Sequence, residues 1–457
     1  MLRYLRSQAI LRLGIPRPLI LNPKSIHGES IITPSSSSSS ALLSVMSFGD
    51  GSQGALGTPG MIGAADAYEP TRVSALPVDV RSVSAGHYHS MAVTGQGEVW
   101  AWGRNDEGQL GRGTGASRDS WSEPKRVEGL SHVNVGAAFG SGVTSVALGE
   151  DGSLWVWGRS KRGQLGLGNG ITQALVPSRV EKLAGELITK VALGWGHALA
   201  QTADGKLFGW GYSADGRLGQ LATSLVSSPL DLIPNMDRLT TQHTDCALDA
   251  AEKFVLESME KENNMPIVWE PRLFEELNSV EVIDIACGLD HSLILCRDGT
   301  LLSGGSNTYG QLGRSRTDLG LLPVDMSFRP VSIASGLGHS MAICENLSSR
   351  GNEIDRQVVS WGWNHNSQLG RTGSESIPSS VEGFYEETPV SLSGGRVHSL
   401  AVTSVGNLWA WGCGKHGRLG LGSSLDEPEP MPVDIQGYRV LQAVSGFDHN
   451  LLLVAKL

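Results

Sequence analysis

The sequence predicts an all-β chain: a seven-bladed β-propeller of repeats of about 53 residues, closed by pairing of its N- and C-terminal strands. Two recurring themes and the phase of the chain ends carry that prediction. The first theme is FGDGSQGALG (Phe48–Gly57), followed by WGRNDEGQLG (Trp102–Gly111), WGRSKRGQLG (Trp157–Gly166), WGYSADGRLG (Trp210–Gly219), GGSNTYGQLG (Gly304–Gly313), WGWNHNSQLG (Trp361–Gly370) and WGCGKHGRLG (Trp411–Gly420). The second is GHYHSMAV (Gly86–Val93), GWGHALAQ (Gly194–Gln201), GLDHSLIL (Gly288–Leu295), GLGHSMAI (Gly336–Ile343), GRVHSLAV (Gly395–Val402) and GFDHNLLL (Gly446–Leu453), with SGVTSVAL (Ser141–Leu148) as a degenerate member.

Each period reads as an apolar run, a Gly-x-x-His corner, a second run, a turn such as TGQG or EDG, a third run ending in WG, and a Gly-rich connection. Short strands at regular spacing with Gly turn signals mean antiparallel units, and four per period fit blades stacked about a channel. The glycines suit close backbone approach and positive φ, and the Trp of WG is placed between neighbouring blades. The repeats open on half a period, with strands near Val45 and near Thr71 to Ala75, and end on the complementary half, Gln442 to Val454. Joining the halves in one blade closes the ring and removes its open edges.

The remaining segments differ in kind. Residues 1–40 carry five basic groups against one acid, are rich in hydroxyls and end in six serines, the composition of a mitochondrial transit peptide or a disordered leader, with plastid import, or a cytosolic or nuclear place, as the lesser alternatives. The propeller is assigned to residues 41–457. One period is about forty residues too long, and positions 221–280 hold eleven acids against four bases, with Leu248, Ala251, Val255 and Met259 on one helical face. This acidic, partly helical insertion is either a solvated excursion or a docking arm.

Composition narrows the function. A net charge of −10 gives no general attraction to phosphate backbones, and no Lys/Arg run stands out in the body, so direct nucleic-acid binding is not expected. No apolar run is long enough for a spanning helix. The five cysteines are scattered and never paired as CxxC, reading as reduced thiols rather than a disulfide framework or zinc site. No P-loop, GxSxG or HExxH motif occurs. The chain is therefore expected to be a non-catalytic monomeric propeller without cofactor or metal. The repeat histidines His89, His197, His291, His339, His398 and His449 recur once per blade, too far apart around a ring for one metal, and are assigned to structural hydrogen bonding. What varies is the pair inside each corner. His87, Tyr88, Trp195, Leu289, Asp290, Leu337, Arg396, Phe447 and Asp448 form the candidate partner-binding rim, either docking a protein or plugging the channel mouth.

The combination of GxxHS with WGxxxxGQLG resembles the regulator-of-chromosome-condensation repeat family over about Ser47 to Leu457. Branches of that family differ in the corners. The branch that exchanges nucleotide on a small GTPase places acids there, matched here by Asp290 and Asp448. The photoreceptor branch clusters tryptophans, whereas this chain has Trp195 alone among the corners. With its leader, the chain resembles the plant mitochondrial branch. That resemblance implies a mitochondrial (matrix) scaffold binding protein partners, supporting intron splicing of a complex I subunit transcript and so complex I accumulation. Guanine-nucleotide exchange is the alternative, and a light or stress regulator a second.

Overall fold

The computed structural model describes residues 43–58, 65–113, 120–221, 265–316, 318–347, 354–385 and 387–457; the leader and residues 222–264 of the expected insertion lie outside them. Among the described residues the chain forms seven four-stranded antiparallel sheets, the expected seven blades. Blade 1 is built from both ends of the propeller, in the order Ala67–Arg72, Leu43–Gly49, His449–Lys456, Tyr438–Ser445. Leu43 pairs with Ala455 and Gly49 with His449 without a slip between them, so the ring closes as the repeat phase requires. The strand expected near Thr71 to Ala75 lies earlier, at Ala67–Arg72, and Val73 makes the last bond, from its N–H to Val45 O at 2.9 Å.

Blades 2 to 7 each take one continuous stretch of chain. Their innermost strands are Val80–Ala85, Val135–Ser141, Ile188–Leu193, Val282–Cys287, Arg329–Ser335 and Pro389–Gly394. The second strands, such as His89–Thr94 and His398–Thr403, are buried along their whole length, because neighbouring blades cover both of their faces. Their sequences accordingly read as apolar runs rather than alternating patterns. The outermost strands need no such run. Blade 2 ends in the two exposed residues Lys125–Arg126, and blade 7 in Glu427–Val433, where Pro428, Pro430 and Pro432 withhold every second donor and blunt the edge. Blade 4 takes Ile267–Leu273 as its outer strand, which places the C-terminal part of the 221–280 segment inside the propeller.

The themes build the contacts between blades. Trp102, Trp157, Trp210, Trp361 and Trp411 are fully buried. Each indole N–H donates to a backbone carbonyl in the Gly-rich connection of the preceding blade: Trp157 to Gln109 O at 2.8 Å, Trp210 to Gln164 O at 2.7 Å, Trp361 to Gln311 O at 2.9 Å, Trp411 to Gln368 O at 2.9 Å, and Trp102 to Ala55 O at 2.8 Å. The Gly after the Trp is required by position: Gly103 sits at φ 105°, with the Tyr88 carbonyl where a Cβ would point. Blade 5 has Gly304 in the indole slot, and Leu321 moves into the vacated space.

Candidate functional site

At each corner the chain turns from the innermost to the second strand around a buried imidazole. Gly86 N–H donates to His89 O at 2.8 Å, and the same bond recurs at the other Gly-x-x-His corners. The ring then reaches the next blade. Nε2 of His449 lies 3.0 Å from Ser90 Oγ, His89 2.8 Å from Ser145, His197 2.9 Å from Ser292, His291 3.0 Å from Ser340, His339 2.9 Å from Ser399, and His398 2.8 Å from Asn450 Oδ1. Each serine hydroxyl has one proton, and that proton goes to the Gly-rich connection, as from Ser145 to Gln109 O at 2.7 Å and from Ser340 to Gln311 O at 2.8 Å. The serine must therefore accept from Nε2–H, which fixes the tautomer. Nδ1 of His89, His197, His291, His339 and His398 is left without a partner. Protonation would put an unanswered N–H there. Burial accordingly pushes His89 and His339 down to about 3, His291, His398 and His449 to about 4, and His197 well below its ordinary value. Six neutral imidazoles thus stitch six of the seven junctions.

Blade 3 omits the histidine and changes two residues together. Thr144 replaces it, and Ser141 replaces the corner glycine, because no imidazole now occupies the space that a Cβ needs. Its junction to blade 4 is made instead by Gln164, which accepts from Thr144 Oγ1 at 3.2 Å and donates to Gly194 O at 2.5 Å.

The corners converge on the channel mouth, a cavity of about 240 Å³ reached by all seven blades. His87, Trp195, Leu289, Leu337, Arg396 and Phe447 line it. A chain of backbone bonds steadies them, including Trp195 N to Leu289 O at 3.2 Å, Leu289 N to Leu337 O at 2.9 Å and Arg396 N to Phe447 O at 3.1 Å. Four flat groups form a contiguous stack across the opening only in the loose sense of neighbouring rings, the His87 plane being tilted by 37° from Trp195 and by 38° from Phe447. The Arg396 guanidinium lies 4.6 Å from the Phe447 centroid, Phe447 4.6 Å from His87, and His87 4.7 Å from Trp195. Trp195 reaches from blade 4 past Gly142 of blade 3 to His87 of blade 2, its Cε3 lying 4.0 Å from where a Gly142 Cβ would sit. The stack ends on this indole, which is 40% exposed.

The second corner residues sit otherwise. Tyr88 is half-buried beneath Arg104, 5.7 Å away, and Asp290 is half-buried and paired with the buried Arg217 at 2.5 Å. Asp448 is buried between Arg396 at 2.8 Å and Arg418 at 2.6 Å. The sequence placed nine residues on one rim; the structure gathers six into the mouth, one of them the buried His87, and commits both acids to internal pairs. Sequence reasoning missed the cations of blade 3. Arg159, Lys161 and Arg162 fall within four residues, a basic run visible as RSKR inside the repeat theme. Among the described residues no group of three or more His, Cys, Asp or Glu side chains could hold a metal ion, four cysteines are free, and no helix is long and apolar enough to cross a membrane.

Residues 44–452 match the family model described as RCC1-like domain. The ultraviolet-B receptor UVR8 of Arabidopsis thaliana is 31% identical over 415 residues, covering 88% of this chain and 81% of that protein. The mitochondrial RCC1 domain-containing protein RUG3, also of Arabidopsis thaliana, is 26% identical over 409 residues, covering 79% of this chain and 89% of that protein. Among solved structures, Prp20p of Saccharomyces cerevisiae, studied for its binding to Gsp1p and histones, superposes with a TM-score of 0.70 at 22% identity, over 92% of this chain and 93% of the other.

Proposed function

The chain belongs to the RCC1-like domain family, and on that footing we propose that it is a non-catalytic docking platform for protein partners in mitochondria. Its role there is to support organellar RNA processing, namely intron splicing of a complex I subunit transcript, and so the accumulation of complex I. The observation that carries the docking reading is the channel mouth: a mixed apolar and charged surface, held still by the interblade bonds, with the Trp195 indole turned to solvent. Rigid scaffolds that present variable corner residues suit recognition, and an exposed tryptophan beside polar groups suits a contact that carries much of the binding energy. The mitochondrial part is supported by likeness to RUG3 and by the basic leader. Splicing factors that themselves hold RNA are the partners we expect.

Two measurements test this reading. A reporter fused to residues 1–40 is expected to reach the mitochondrial matrix. Removal of the gene is expected to lower the ratio of joined to unjoined complex I transcript, with restoration by the wild-type chain and not by Trp195→Ala. Normal splicing in a clean deletion would overturn the RNA part.

Nucleotide exchange on a GTPase is the second reading, favoured by the fold shared with Prp20p, a protein studied for binding Gsp1p. Against it, Asp448 is enclosed by two guanidiniums and Asp290 is held by a third. A nucleotide-release assay with Asp290→Ala decides: exchange that is present and sensitive to this change would favour the second reading. Light reception is disfavoured, since Trp195 is the one tryptophan among the corner residues.

A further inference from the structure

Blade 3 departs from the other six in the corner that it contributes to the rim. Its corner turns on Gly142 and leaves a notch, across which Trp195 lies with its indole partly in solvent. Its Gly-rich loop carries Arg159, Lys161 and Arg162; the first two are exposed and the third is half-buried. Arg162 runs along Gly196, next to Trp195, so closely that a Cβ on Gly196 would fall 2.6 Å from its Cδ. Its guanidinium lies 5.4 Å from the Tyr212 centroid, and that of Arg217 lies 4.8 Å from the same centroid. Among the described residues neither Arg159 nor Arg162 has a carboxylate within ion-pair distance; the nearest opposing charge on Arg162 is the more remote Asp290, which Arg217 already holds. Burial disfavours the charged state of Arg162, so an incoming carboxylate would relieve an existing cost.

We propose that this sector of the rim, Arg159 and Arg162 beside Trp195, is the contact for a short acidic segment of the partner protein. The segment's carboxylates meet the two guanidiniums and an apolar or aromatic residue within it lies on the indole. The inference rests on the reading that this face docks a protein, and adds the chemistry of the docked segment. Single-stranded RNA would use the same residue types, but it needs a cationic groove that follows the backbone over several nucleotides. Here the positive charge is one blade wide. In blade 2 the equivalent loop holds Asp106 and Glu107 around Arg104, each at 2.8 Å, and in blade 4 it holds Asp215 against Arg217 at 3.0 Å. Because the cations of both flanking loops are already paired with acids, no cationic track continues from the patch for a phosphate backbone to follow, whereas a short acidic peptide fits within it.

The test uses the full chain and a fluorescein-labelled decapeptide of Glu and Asp with a central Phe, read by anisotropy against a Gln/Asn version and a ten-nucleotide oligouridine RNA. The acidic peptide is expected to bind, to weaken at least tenfold with Arg159→Glu and with Trp195→Ala, to weaken with rising salt, and to tolerate Arg162→Lys better than Arg162→Gln. Arg159 is exposed, so Arg159→Glu is expected to leave the melting temperature unchanged. Peptide affinity unaffected by Arg159→Glu, or tighter RNA binding that depends on the same residues, overturns the proposal. A photo-crosslinker at Leu289 separates this from the parent reading. If crosslinking to the native partner in mitochondria survives Arg159→Glu but is lost with Trp195→Ala, the acidic segment is wrong and docking stands; if neither change matters, both fall.

Discussion

A methyl group on Gly86 would overlap the imidazole of His89, and the same collision awaits a Cβ at Gly194, Gly288, Gly336, Gly395 and Gly446. Glycine and histidine are therefore one unit, and blade 3 shows it by losing both at Ser141 and Thr144. Gly86→Ala is expected to cost about 1 to 3 kcal/mol, the range for forcing extra volume into a well-packed site. In a His89→Thr background the added cost of the methyl should shrink, giving a coupling of about 1 kcal/mol or more in a urea-denaturation cycle. Strict additivity would sink this account. The Gly-His spacing was legible because it repeats. The identity of the histidine's partner was in view as well, as the serine of GxxHS, but only the ring arrangement shows that this serine answers the previous blade's histidine rather than its own.

Between blades, these bonds tie stability to pH. Each repeat histidine has a folded pKa below its unfolded value near 6.5, so the unfolded chain takes up protons first as the solution is acidified. The stabilisation is complete above that value and is lost as pH falls toward 4, by up to about 1.4 kcal/mol per pH unit for each histidine. Thermal melts are expected to be flat from about pH 8 to 7 and to decline ever more steeply below pH 6, before most carboxylates titrate. His398→Gln should flatten the slope between about pH 6.5 and 5 by roughly one part in seven, since burial pushes His87 down to about 3 as well, even though the change lowers the melting temperature at neutral pH. An unchanged slope would refute the neutral-imidazole assignment. The blade 3 to blade 4 junction, made by Thr144 and Gln164, contributes nothing to this dependence. At this scale the second strands, such as His89–Thr94 and His398–Thr403, were readable as apolar runs enclosed on both faces. The outer strands Lys125–Arg126 and Leu322–Pro323 were not, because a two-residue edge leaves no periodic pattern, and Ile267–Leu273 was absorbed into the acidic segment preceding it.

For the whole molecule, ring closure was legible because a closed repeat fixes the phase of both chain ends, whereas the state of the rim acids was not. Arg418 meets Asp448 across 30 residues and Arg217 meets Asp290 across 73, contacts that no local spacing announces. Closure also makes a prediction that separates the circle from the order of its parts. Leu43 pairs with Ala455 in an antiparallel register, so Leu457 ends beside the start of the first strand and a short turn can join them as a hairpin. A new opening at Gly170 suits the cut, since that residue is exposed and nothing lies within 4 Å of its added Cβ position. In such a permutant, blade 3 becomes the one assembled from both chain ends, with Gln173–Arg179 supplied first and Leu154–Arg159 last. All interblade bonds are kept and the loop-closure cost changes little, so its melting temperature should stay within about 5 °C of the parent. Deleting residues 438–457 removes two strands of blade 1, strips Ser90 and His398 of their partners His449 and Asn450, and should abolish the cooperative transition. A permutant that fails to fold beside a truncated chain that melts cooperatively would mean that the stability of the propeller does not come from its closure.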